Sequence, residues 1–186
     1  PVRQETYDRY ADGDARRDAT CWNAGKYAQE NGIEYNKRYQ DTGLFLEKYA
    51  FHSGDNADQK ASGELNHNEN LRIYRYSETL LNAAELLVVT GGSASEAKGY
   101  LSQVRQRAGL TAIDATFDNI IEERHLEFVG EGKRYWDLVR TDKAQTVLVP
   151  DEYGYRTNSW TPSKKYLPIP QSEIDKAQKT LKQNNY

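Results

Sequence analysis

The sequence predicts an all-α protein in which helical hairpins sit between long irregular loops. Apolar residues recur at three- and four-residue offsets from Leu71 to Val139, glycines and capping residues punctuate that stretch at helix-length intervals, and turn-forming clusters dominate on either side. Residues 1–70 are therefore read as a loop-rich segment, 71–140 as a helical-repeat scaffold, and 141–186 as an irregular excursion ending in a docking tail.

In the scaffold, Ile73, Ser77, Leu80, Leu81, Ala84, Leu87 and Val88 share one face, which predicts a helix over 71–90. Gly91-Gly92 supplies its stop, because glycine accepts the left-handed conformation there. Ser93 and Glu96 have the spacing of a capping box, in which the hydroxyl meets a free amide and the glutamate reaches back. The helix they open, over 94–109, presents Ala97, Tyr100, Leu101, Val104 and Ala108. Two amphipathic helices across a short glycine turn pair antiparallel, here through Leu80, Leu87, Leu101 and Val104, in the organisation of a tetratricopeptide unit.

Thr116 can cap a third helix, 117–129, with Phe117, Ile120, Ile121 and Phe128 on one face. Gly130 and Gly132 break it, and a fourth helix, 132–140, carries Tyr135, Trp136 and Val139, with Trp136 expected in the core. Arg124 falls on the apolar face. A buried guanidinium needs partners, and Glu123, Glu127, Glu131 and Asp137 are near in sequence. The structural reading has Arg124 and Arg134 paired with these acids to fix helix packing; ligand or catalytic use of the same cluster is the alternative.

The flanks are punctuated differently. Asp12-Gly13-Asp14, Asn31-Gly32 and Gly54-Asp55-Asn56 mark turns, with brief helices or edge strands between them and Leu44-Phe45-Leu46 as the best anchor to a core. Downstream, Pro168-Ile169-Pro170 favours an extended, pinned path followed by a short turn or helix through Ser172-Glu173-Ile174.

Composition narrows the function classes. Of the 186 residues, 25 are Lys or Arg and 28 are Asp or Glu, a formal charge of -3 that gives no positive field for nucleic acid. Cys21 is the only cysteine, so no internal disulfide forms. His52, His67 and His125 lack zinc-ligand spacing, no metal or cofactor is implied, and neither a nucleophile elbow nor a phosphate-binding glycine loop occurs. Acidic pairs such as Glu122-Glu123 and Asp151-Glu152 do not by their abundance establish an acid and base pair, so the chain is read as no enzyme. Tyrosine is abundant at 14 residues, with 3 Trp and no Met, and such rings suit cores and recognition surfaces alike.

The run Glu123-Arg124-His125-Leu126-Glu127 through Glu131-Gly132-Lys133-Arg134-Tyr135-Trp136-Asp137-Leu138-Val139-Arg140 resembles the signature of the SusD/RagB family. Three further runs are similar to its motifs in the expected order: Arg75-Tyr76-Ser77-Glu78-Thr79-Leu80-Leu81-Asn82, Val104-Arg105-Gln106-Arg107-Ala108-Gly109-Leu110, and Tyr166-Leu167-Pro168-Ile169-Pro170. The Pro-Gly usual before the terminal tyrosine is absent from Gln183-Asn184-Asn185-Tyr186, and Ala177 stands where an asparagine is expected.

The resemblance implies a non-catalytic, oligosaccharide-binding lipoprotein of polysaccharide utilisation, on the extracellular face of a bacterial outer membrane beside a SusC-like TonB-dependent transporter. It also implies that a missing N-terminal portion of the same protein, with the lipidated cysteine, is a partner of this chain, and that Cys21 is not the lipid site. Candidate glycan contacts are Trp22, Tyr27, Tyr35 and Trp160 as stacking rings, with Asp14 and Arg16 as a polar edge; local packing and a solvated, salt-bridged loop are the competing readings. The alternative function is a helical-repeat protein-interaction module without glycan binding.

Overall fold

The computed structural model describes residues 1–50, 72–152, 154–178 and 180–185. Leu71, Phe51, His52 and His67 lie outside the described residues. The chain divides into two compact units, Pro1–Lys133 and Arg134–Tyr186.

In the first unit the hairpin consists of α4, Tyr76–Thr90, and α5, Ala94–Arg107. Before them come α1 (Gln4–Asp8), α2 (Ala15–Thr20), β1 (Cys21–Asn23), α3 (Ala24–Glu30) and β2 (Leu44–Leu46). Helix α4 starts later than the periodicity predicts, because Arg75 is still extended, with φ -133° and ψ 158°. Ile73 is consequently off the helix and 75% exposed, a correction to its place on the buried face. Gly91 closes α4 in the left-handed region at φ 69°. Ser93 Oγ accepts from the Glu96 amide at 3.2 Å, but the Glu96 carboxylate accepts from the Tyr100 hydroxyl instead of reaching back, so the capping box is half made.

Helix α6, Phe117–Glu127, is capped by Thr116 and packs against α4. Leu80, Leu81, Ala84, Leu101, Val104, Ile120 and Phe128 form the main core, while Leu87, expected at its centre, is half-buried. A second cluster gathers Val2, Tyr10, Cys21, Leu44 and Leu126. The loop-rich segment is thus tied to the helices: the Tyr10 hydroxyl donates to Leu126 O at 2.9 Å, and the Ala15 amide to Ala108 O at 3.0 Å. Leu44-Phe45-Leu46 is the anchor, as β2 of an antiparallel ribbon with β1.

Charged side chains bind these segments together. Arg16 Nη1 reaches Glu123 at 2.6 Å and Glu127 at 3.2 Å, while its other edge donates to Asp14. Arg107 and Arg75 also reach Glu127, Arg105 reaches Glu123, and Lys48 and Arg75 reach Glu131. Glu123 and Glu127 are each only 2% exposed. Burial alone would push the Glu127 carboxyl up, yet Arg107, Arg75 and Arg16 together hold it below its ordinary range. Glu131 is likewise held down by Arg75 and Lys48 against its own burial. Arg124 is buried as expected and meets Glu78 of α4 at 3.8 Å; it also donates to Asn82 at 2.6 Å.

In the second unit, α7 (Arg134–Arg140) and α8 (Ala144–Val147) bury Leu138, Val139 and Ala144, against which Tyr135 and Trp160 pack. Trp136 corrects the expectation of a core residue: it is 50% exposed, because it falls beside the 135, 138 and 139 stripe of a short helix, and it meets Tyr135 edge-on at 5.1 Å. Arg134 is half-buried, and the buried Asp137 accepts from Arg140 at 2.9 Å. A 3-10 turn, Pro162–Lys165, precedes the extended Pro168-Ile169-Pro170 segment, and α9, Gln171–Lys176, follows it. The Gln183 side chain pins that segment by bonding both the amide and the carbonyl of Ile169 at 2.8 Å.

Two outcomes are expected. Leu81, fully enclosed, should lose about 2–5 kcal/mol on Leu81→Ala, whereas the exposed Leu86→Ala should stay within about 0.5 kcal/mol, as read from denaturant midpoints. Glu127→Gln should cost about 3–5 kcal/mol by leaving three arginines short of charge. Because folded Glu127 and Glu131 titrate below their unfolded range, the stability they contribute is complete above about pH 4.3 and is lost as pH falls through the folded values. Acid titration of the variant followed by circular dichroism should show a shallower loss than the parent chain.

Candidate functional site

Alternation along a strand sends successive side chains to opposite faces. In β1 this turns Cys21 inward, at 3% exposed, and Trp22 outward, at 43%. The register opposes Trp22 to Phe45, so Leu44 is buried while Phe45 lies beside Trp22 on the outer face, with ring centroids 6.0 Å apart. Asn23 then ends the strand and caps α3, its Oδ1 accepting from the Lys26 amide at 2.9 Å. That early helix start brings Tyr27 edge-on to Trp22 at 5.8 Å, itself 49% exposed. Three aromatic rings on one outward surface offer apolar faces with the indole and phenol edges available for hydrogen bonding.

The structure brings together Trp22 and Tyr27 among the residues singled out from sequence. Phe45 joins them and was missed, since an isolated Leu-Phe-Leu run reads as an anchor until its cross-strand partner is known. Tyr35 is half-buried, and its hydroxyl donates to Asp41 at 2.6 Å, a bond that pushes the phenol up to about 12. Asp41 also accepts from the Gly43 amide at 2.8 Å, so Tyr35 helps shape the loop that feeds β2.

Asp14 and Arg16 correct the expectation of a polar surface edge, since they are 5% and 7% exposed and belong to the buried ion-pair network. Asp14 additionally caps α2 through the Arg16 amide at 3.0 Å. Trp160 is half-buried in the second unit, its Nε1 donating to the Tyr135 hydroxyl at 3.2 Å and its amide to Leu148 O at 2.8 Å. Among the described residues no cluster of three or more His, Cys, Asp or Glu has the form of a metal site, and no helix is long and apolar enough to cross a membrane.

Comparison with known proteins shows what the whole chain is similar to. Surface glycan-binding protein A from Bacteroides thetaiotaomicron, in complex with laminarihexaose, is 66% identical, with a TM-score of 0.91 over 100% of this chain and 41% of that one. Surface glycan-binding protein A from Bacteroides uniformis is 52% identical, with a TM-score of 0.86 over 100% of this chain and 41% of that one. SusD-like protein P38 from Formosa agariphila is 36% identical over 95 residues, which are 44% of this chain and 19% of that protein. The chain thus spans about two fifths of the solved proteins it matches and a smaller share of that relative. The model of the SusD family matches residues 2–186, and the chain belongs to that family.

Proposed function

We propose that this chain takes part in non-catalytic capture of a laminarin-type oligosaccharide at the bacterial cell surface and in its delivery to a SusC-like TonB-dependent transporter. The observation that carries the reading is the likeness, along the whole chain, to a glycan-binding protein in complex with laminarihexaose. The exposed Trp22 and Tyr27, with the half-buried Phe45 beside them, support it, because sugar C–H faces stack on such rings while hydroxyls meet polar edges. Delivery places the protein on the extracellular face of the outer membrane, held by a lipid anchor carried on an N-terminal portion of the same protein. That portion then shares the glycan contacts with the loop-rich segment 1–70, while 71–140 serves as scaffold and 141–186 as excursion and docking tail.

Isothermal titration of the chain with laminarihexaose tests the reading. Saturable binding is expected, and Trp22→Ala should weaken it at least about tenfold through loss of a stacking face, with unchanged circular dichroism. Silence toward laminarihexaose and a panel of other glycans would overturn it in favour of a protein-interaction module. Release of reducing ends from the glycan by the purified chain would overturn the non-catalytic part.

A further inference from the structure

The ion-pair network does not close on itself. It opens to an indentation of about 300 Å³ whose wall includes Arg16, Lys48, Arg72, Arg75 and Arg107 against Glu127 and Glu131. Arg16 is answered from its far side by Asp14 and Glu123. Even with Arg16 set aside, four cations face two carboxylates, in a chain whose net charge is negative. Arg72 meets no carboxylate among the described residues and is exposed. Arg107 commits one Nη to Glu127 and remains 59% exposed along its side chain. An excess of guanidinium groups with free donors is a receptor for carboxylate oxygens.

A second indentation of about 330 Å³ adjoins the first, since Arg75 and Arg107 line both. Its remaining wall is mostly apolar and includes Tyr76, Leu80 and Val104. Ser77 lines it too, is only 8% exposed, and has an Oγ without a hydrogen-bond partner. A buried hydroxyl left unpaired costs free energy until something meets it. Tyr76, on that wall, is 70% exposed. An exposed tyrosine beside arginines has the composition of a protein contact rather than of a pocket for a lone anion.

We propose that these paired indentations dock an acidic segment of a protein partner, with a Glu or Asp carboxylate among Arg72, Arg75 and Arg107 and a neighbouring aliphatic side chain over Leu80 and Val104. The two cavities side by side match two side chains of one extended peptide. The surface is separate from the Trp22 rings and does not depend on the glycan reading.

The test titrates the isotopically labelled 186-residue protein with a capped Ala-Leu-Glu-Leu-Ala peptide and with its Ala-Leu-Gln-Leu-Ala counterpart, following amide chemical shifts. The acidic peptide should give saturable shifts at Arg72, Arg75, Ser77 and Arg107, and raising salt from about 0.05 to 0.5 M should weaken it several-fold as screening shortens. The glutamine peptide should bind at least about tenfold more weakly, one power of ten being about 1.4 kcal/mol. Arg72→Glu should produce a similar loss without changing the melting temperature, since Arg72 holds no ion pair among the described residues. Equal binding of both peptides, no binding of either, shifts confined to the Trp22 region, or insensitivity to Arg72→Glu would each overturn the proposal. Sodium glucuronate binding at the same amides as tightly as the peptide would reassign the pocket to small carboxylates and overturn the protein partner.

Discussion

Everything in the first unit depends on the carboxylate of Glu127 staying ionised where water barely reaches it. Taking a carboxylate out of water is costly by several kcal/mol, and the cost is offset only when hydrogen-bonding cations meet its oxygens in good geometry. Three arginines do so, from α2, from the residue before α4 and from the end of α5. Glu123 and Glu131, four residues to either side, extend the same acidic ridge, so α6 and the turn after it present a row of acceptors to segments far away in sequence. The acidic spacing of this run is therefore a cross-linking pattern. Removing one acceptor affects several chain segments at once.

That clamp reaches the aromatic surface by a short route. Lys48, two residues beyond β2, donates to Glu131 and to Glu127 O, each at 2.9 Å. Leu46, the last residue of β2, packs where a side chain on Gly130 would stand: a β-carbon there would lie 2.6 Å from its methyl groups, and the backbone already has φ 81°. Gly130 is thus required both by conformation and by space. The ribbon presenting Trp22 and Phe45 is held against the end of α6 by the bonds of Lys48, by the close approach of Leu46 to Gly130, and by the packing of Cys21 and Leu44 with Leu126. A helical scaffold positions the surface while the variable chemistry sits on the ribbon and loops.

The hairpin and α6 were legible in the sequence because their order is local. Leu80, Leu81, Ala84, Leu101, Val104 and Ile120 repeat with the helical period, and Ser93 and Thr116 cap the helices that the periodicity predicts. The fate of Arg16 was not legible, since its decisive partner Glu123 is 107 residues away and a charged loop looks the same whether solvated or buried. Trp136 misled because a bulky aromatic inside an amphipathic run reads as core, while in a helix of seven residues one step of rotation turns it to solvent. Of the candidate glycan contacts, Trp22 and Tyr27 were found from ring chemistry alone. Phe45 needed the strand register, which is a tertiary fact.

The alternation in β1 has one more consequence, because Cys21 is the inward neighbour of Trp22 and the only thiol in the chain. Burial pushes that thiol up to about 11, so at neutral pH it is both sheltered and protonated, and reagents that need a thiolate can attack it only after the strand opens. Its labelling rate is therefore a clock for local unfolding of the ribbon. The protein carries a built-in reporter of how often its aromatic surface comes apart, legible without adding a dye or altering a residue.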